Sequence, residues 1–339
     1  MKKIFLFVAC ALLLSSCTDE GNNGDNKGGN KNNETNEMQQ GAVMSEDMFN
    51  ADTLDVNGYI SRARMYLANE QVGMAIRDIN SALSLDGKNI DALLVLTDIY
   101  YALGDQDNIL LTLNKATEIA PMDSRPVIKL AEMSFLQGNT KLANAYLDKA
   151  LELNSINPQA YYLRGIISLT KNDTVQALKQ FMKARNQDDS FIDPVYQIAN
   201  IYAAQRNPMA EDFYNLAIQM APDDWTAYYD LAMYLQDNGN PNKALEIYDT
   251  LDARMPGNYQ FLFNKGYVNL VYLFEYDKAI EEFDKALAVN PKSVDALLNK
   301  GVAYEQKGNY NTAKSIYLQI LKDNPNYQLA IDALHRIGN

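Results

Sequence analysis

From Val56 to Pro325 the chain repeats itself. The last copy, Val294 to Pro325, reads V-D-A-L-L-N-K-G-V-A-Y-E-Q-K-G-N-Y-N-T-A-K-S-I-Y-L-Q-I-L-K-D-N-P. Its apolar residues recur three and four apart, the spacing of an amphipathic helix. Gly308 breaks the pattern once, so the copy reads as two helices joined by a tight turn, glycine taking a left-handed C-cap backbone at little cost. Pro325 ends the second helix, because proline lacks the N–H and pushes the residue before it out of the helical region. With Val294 as position 1, equivalent starts fall at Val56, Ile90, Ser124, Pro158, Ile192, Trp225 and Tyr259, in steps of 33 to 35 residues.

The same residue types return at the same positions. Position 8 is small, as in Ala63, Ala131, Gly165, Ala232 and Gly301, with Thr97 the largest. The residue opening the second helix is alanine in seven copies, from Ala75 to Ala313, with Ile109 the exception. Four residues later stands a bulky side chain, such as Ile79, Leu147, Phe181, Tyr248 or Tyr317. Small residues let two helices approach and bulky ones fill the grooves between ridges. Two spacing changes, a loss near Arg206-Asn207-Pro208 and a gain near Leu273-Phe274-Glu275-Tyr276, fall between the helices of a copy. Length changes are cheapest there.

This pattern resembles the tetratricopeptide repeat family, whose period is 34 residues, over about four fifths of the chain. The resemblance implies an all-α fold: a right-handed α-solenoid of about eight helix-turn-helix repeats within 44–339, starting near 56, 90, 124, 158, 192, 225, 259 and 294. A solenoid needs its ends covered. Gln328 to Ile337, within a cap over 328–339, suits one end; Met44, Met48, Phe49 and Leu54 suit the other.

The first 16 residues differ in kind. Lys2 and Lys3 precede an apolar run, Ile4 to Leu14, that is long enough for a signal peptide and too short for a membrane span. Leu14-Ser15-Ser16-Cys17 resembles the lipobox of bacterial lipoproteins. That resemblance implies cleavage before Cys17, a lipid thioether on its sulfur, acylation of its amino group and an outer-membrane location, on the periplasmic or the surface face. The alternative is a secretory signal in which Cys17 is incidental. Residues 17–43 are rich in Asn and Gly and almost without apolar side chains, the composition of a flexible tether.

Charge and composition exclude other classes. The net charge is -13, and loss of the first 16 residues takes Lys2 and Lys3 and leaves -15. An acidic chain is a poor nucleic-acid ligand, since neutralising phosphates is what supplies that affinity. With one histidine, His335, and with Cys10 and Cys17 the only cysteines, neither a metal site nor a cofactor is expected. Asp223-Asp224 and Glu281-Glu282 are paired carboxylates at a helix start and on a helix face, where acids complement the dipole or face solvent. No nucleophile and base stand together, so the chain is not read as an enzyme.

Binding is the better expectation. In the family it resembles, the first helix of each repeat lines a concave groove with positions 2, 5, 6, 9, 12 and 13. Position 5 here includes Tyr162, Tyr196, Tyr229, Phe263 and Leu298, and position 9 includes Asn200 and Tyr267. Aromatic side chains give large contact area at low entropy cost. Two readings of this row stand: packing between neighbouring helices, or recognition of a partner protein or peptide. The Lys, Arg and Asn pattern with which some family members clamp a peptide carboxylate is not kept. The expected function is a membrane-anchored scaffold or adaptor of the bacterial envelope, with a protein or peptide partner and no defined oligomeric state. The alternative is a glycan-binding surface lipoprotein, which the one-residue insertions leave little room for.

Overall fold

A computed structural model describes residues 55–338. The signal segment 1–16, Cys17, the tether and the cap expected from Met44 to Leu54 lie outside the described residues. Among the described residues there are 17 helices. Four pairs come first: α1 (Val56–Ala68) and α2 (Val72–Leu85), α3 (Ile90–Ala102) and α4 (Gln106–Ile119), α5 (Ser124–Leu136) and α6 (Thr140–Leu153), α7 (Pro158–Thr170) and α8 (Thr174–Gln187). Four more follow: α9 (Ile192–Ala204) and α10 (Met209–Met220), α11 (Trp225–Asp237) and α12 (Pro241–Arg254), α13 (Tyr259–Val271) and α14 (Tyr276–Val289), α15 (Val294–Gln306) and α16 (Tyr310–Asp323). A single helix, α17 (Gln328–Gly338), ends the chain. Every first helix begins at the residue the repeat alignment set as position 1. The architecture is an all-α solenoid of eight helix-turn-helix repeats and a capping helix. It falls into two compact units, the first ending at Gln187 and the second beginning at Asp188.

Local chemistry starts and stops these helices. The residue before position 1 caps the first helix with its side chain in seven repeats: Asp55, Asn89, Asp123, Asn157, Asp224, Asn258 and Ser293 each accept from a backbone N–H of the first turn. Such a bond satisfies one of the orphan donors at a helix start. Phe191, in the same place before α9, makes no such bond. The turn inside every repeat reverses through one left-handed residue: Glu70, Gly104, Gly138, Asn172, Arg206, Gly239, Phe274 and Gly308. At Phe274, φ is 58°, a conformation that costs a side chain of that shape about 1–2 kcal/mol. The two spacing changes sit beside such turns. Helix α10 has 12 residues where the other second helices have 14, and the turn before α14 holds the added residue.

The core of each repeat is a contact between position 8 and the bulky residue of the second helix. Ile79, Leu113, Leu147, Phe181, Tyr248, Phe283 and Tyr317 are fully buried. Three repeats put glycine at position 8 opposite an aromatic ring. A Cβ on Gly165 would lie 2.4 Å from Phe181 Cε1, one on Gly266 2.7 Å from Phe283, and one on Gly301 2.4 Å from Tyr317. No carbon pair tolerates those distances, so glycine is required there by the ring and not by the turn. In the first and third repeats position 8 is alanine and the bulky residue aliphatic, Ala63 with Ile79 and Ala131 with Leu147; the fifth and sixth repeats combine Ala199 and Ala232 with Tyr214 and Tyr248, so an aromatic does not by itself demand glycine.

The capping helix α17 is held by more than its apolar face. Ala330 and Ala333 pack with Ile316, Tyr317 and Ile320. Arg336 also donates twice to Glu305, Nε to Oε1 at 2.5 Å and Nη2 to Oε2 at 2.9 Å, while Tyr317 donates to the same carboxylate at 2.8 Å. The Glu305 side chain is only 7% exposed. These bonds, the arginine's first, hold its carboxyl below the usual range although burial pushes the other way. His335 is exposed in the last turn.

Candidate binding face

Position 5 behaves differently in the two units. In the first unit Ile60, Leu94, Ile128 and Tyr162 are all buried, none more than 7% exposed. The Tyr162 ring lies 5.6 Å from that of Phe181, at the place Gly165 opens for it. Tyr162 is therefore a core residue of its repeat, and the aromatic row expected to run through it does not reach the surface there. Two cations on this unit's first helices are already matched. Arg125 meets Asp91 at 2.6 Å and Asp123 at 2.7 Å, and Lys129 meets Asp98 at 2.5 Å. Burial raises the Glu132 carboxyl, with Lys129 opposing the shift.

In the second unit the same position is half-buried. Tyr196, Tyr229, Phe263 and Leu298 keep part of their surface, as do Asn200 and Tyr267 at position 9. Phe263 stacks between Tyr259 (5.9 Å) and Tyr267 (6.4 Å), and Tyr267 meets Tyr272 edge-on at 6.1 Å. Tyr229 stands edge-on to Trp225 and Tyr248. Hydrogen bonds link successive first helices. Tyr196 Oη donates to Asp224 Oδ2 at 2.6 Å, Asn264 Nδ2 donates to Tyr229 Oη at 3.0 Å, and Tyr272 Oη donates to Asp237 Oδ1 at 2.6 Å. Asn200 accepts from Tyr214 Oη at 2.8 Å, within its own repeat. Leu298 packs toward the core that α17 closes. These rings are thus braced by their neighbours while keeping part of their surface, which is how a rigid contact surface is built.

The electrostatics of this face are acidic. Burial raises the Asp193 carboxyl. Burial, and then the charge of Asp224, push Asp230 up to about 6. Asp224 is desolvated too, yet hydrogen bonds from Tyr196 and Thr226 outweigh that and keep it low. The Tyr196 hydroxyl is raised by burial and by its bond to Asp224. Tyr272, partly desolvated and bonded to Asp237, is pushed up to about 12. Sequence reading picked out the rings and missed the acids around them. Asp224 reads as a helix cap, which it is, and Asp230 reads as a surface carboxylate; positions 2 and 6 taken together carry the signal.

Other candidates resolve into structural roles. Glu281 and Glu282 both meet Lys285 at 2.9 Å, and Lys265 reaches Asp249 at 2.8 Å and Glu282 at 3.6 Å. Among the described residues no group of three or more His, Cys, Asp and Glu side chains is placed to hold a metal. No described helix is long and apolar enough to cross a membrane.

Comparison with known proteins agrees with the fold. Family models described as tetratricopeptide repeat match residues 137–190, 213–246 and 271–336. The human mitochondrial import receptor subunit TOM70 is 21% identical over 274 residues, 77% of this chain and 45% of that protein. The chain thus spans less than half the length of that relative. The uncharacterized protein ycf37 of Guillardia theta is 30% identical over 141 residues, 41% of this chain and 73% of that protein. Among solved structures, the human IFIT1 dimer with PPP-AAAA superposes with a TM-score of 0.50 at 18% identity, covering 79% of this chain and 73% of that one, a likeness of fold alone. With eight copies of one helical hairpin, the same small-against-bulky contact in each and three stretches that match its models, the chain belongs to the tetratricopeptide repeat family.

Proposed function

We propose that this chain is a membrane-anchored interaction scaffold of the bacterial envelope, tethered by lipid on Cys17 and gripping an envelope protein or peptide along the first-helix face of its second unit. The observation that carries the binding part is the row Tyr196, Tyr229, Phe263 and Tyr267, half-buried and braced by hydrogen bonds and ring contacts. Rigid, partly exposed aromatics are among the side chains that carry most binding energy at interfaces. The anchoring part is supported by Met1 to Cys17, which combines a basic start, an apolar run and a small-small-cysteine end. Several acyl chains would hold the protein stably where one would not.

The test is crosslinking in cells with mass spectrometry of what is captured. Wild type is compared with a variant in which Tyr196, Tyr229, Phe263 and Tyr267 are alanine; Tyr162 is left in place because it is core. Capture of an envelope protein by wild type, lost from a variant that keeps its helical signal, is the expected result. Undiminished capture would remove the face from the proposal. Cys17→Ala should abolish fatty-acid labelling and release the protein from membranes; persistent labelling would overturn the anchor.

A further inference from the structure

The acids around the aromatic row have no cations to meet. At positions 2, 5, 6, 9, 12 and 13 of α9, α11, α13 and α15 there is no lysine or arginine, while Asp193, Asp230, Asp237 and Asp295 stand there, together with Glu305, which Arg336 of the capping helix meets. The first unit shows the other arrangement, with Arg125 and Lys129 at those positions and each paired to an aspartate. Tyr196 donates to Asp224 at 2.6 Å, Asp193 stands one turn before it on α9, and the charge of Asp230 on α11 is also felt at its hydroxyl. The strongest charge felt by Asp230 is another carboxylate, Asp224. Holding like charges together in a partly desolvated place costs free energy; hydrogen bonds from Tyr196 and Thr226 offset it at Asp224, whereas among the described residues no ion pair offsets it at Asp230. A cation arriving from outside would recover it. It would also lie beside the faces of Tyr196 and Tyr229, which attract cations through the ring quadrupole.

We propose that the face formed by α9, α11 and α13 docks an extended basic peptide segment of a partner, seating a lysine or arginine between Tyr196 and Tyr229 against Asp193, Asp224 and Asp230. This rests on the proposed function and names the chemistry of its partner. Charge complementarity selects the occupant: an acidic segment would add repulsion to the penalty already present, and a neutral one would leave it standing. A backbone running along the row would set alternate side chains on Tyr229, Phe263 and Tyr267.

The experiment uses three fluorescein-labelled octapeptides, alternating leucine with lysine, with glutamate or with serine. Binding to the full chain lacking residues 1–16 is followed by anisotropy near physiological ionic strength. The lysine peptide should bind at least about tenfold tighter than the serine peptide, and the glutamate peptide weakest. Asp230→Asn should remove that preference while the protein unfolds no more easily than wild type. Asp323→Asn, an exposed charge on α16, should leave binding unchanged. Equal binding of the lysine and serine peptides overturns the charge selection and leaves peptide docking standing. A preference for lysine that survives Asp230→Asn, or is lost with Asp323→Asn, overturns the site, since the whole acidic surface would then be responsible. Failure of all three peptides overturns this inference, and only the crosslinking result then decides whether the face binds protein at all.

Discussion

Gly165 and Phe181 make a prediction that the chain itself has already rehearsed. Alanine at Gly165 would put its Cβ 2.4 Å from Phe181 Cε1, 2.6 Å from Cδ1 and 2.7 Å from Cζ. Ordinary carbon contact needs about 3.5 Å or more, so the ring must retreat by about 1 Å. It has little room to do so: Phe181 is fully buried and the Tyr162 ring already lies 5.6 Å from it. Overpacking of this kind costs about 1–3 kcal/mol, from which the better helix propensity of alanine returns up to about 1 kcal/mol. Gly165→Ala alone should therefore lose about 1–2 kcal/mol. Phe181→Leu alone should lose a similar amount through the space it leaves. The preceding repeat carries the pair Ala131 and Leu147, both fully buried on an equivalent hairpin. In the double variant the strain disappears and the propensity gain stays, so it should be at least as stable as Phe181→Leu alone. The coupling energy from a double-mutant cycle should be about 1.5–3 kcal/mol in favour of the pair. Urea unfolding followed by circular dichroism measures all four proteins. Additive losses would show that Phe181 escapes by another route and that size matching does not govern the hairpin.

Three further perturbations probe other parts of the reasoning. Arg336→Leu leaves the buried Glu305 without its guanidinium and should cost about 1.5–3 kcal/mol near neutral pH. Because Glu305 is held below its unfolded value, this stability is present above the ordinary carboxylate range and is lost as pH falls through the folded value, so variant and wild type should converge in acid; a gap independent of pH would refute the assignment. Asp230 has the opposite sign, its folded value being raised from 3.8 to about 6, so it favours the fold only while protonated. Asp230→Asn should thus raise the unfolding midpoint above about pH 6, by at most about 3 kcal/mol, and change little near pH 4; destabilisation at neutral pH would mean the carboxylate has a cationic partner. Phe274→Gly relieves a left-handed backbone at an exposed side chain and should gain about 0.5–1 kcal/mol after the glycine's own entropy is charged; a loss would show that the ring packs.

Periodicity determined much of this protein without any coordinates. The starts of all eight first helices were legible because small, bulky and turn-forming residues each recur at a fixed offset, and a solenoid repeats one local solution. The contact between position 8 and its bulky partner followed from the same register. Tertiary structure decided what one-dimensional pattern cannot carry. The same position 5 is core at Tyr162 and half-open at Tyr229, because exposure depends on the neighbouring repeats. Arg336 reads as a solvated helix-end charge until α17 brings it onto Glu305, 31 residues away. Asp230 reads as an ordinary surface acid until packing desolvates it beside Asp224. Helices and turns are set by neighbours in sequence, which repetition reveals. Burial and charge pairing are set by neighbours in space, which only the folded stack brings together.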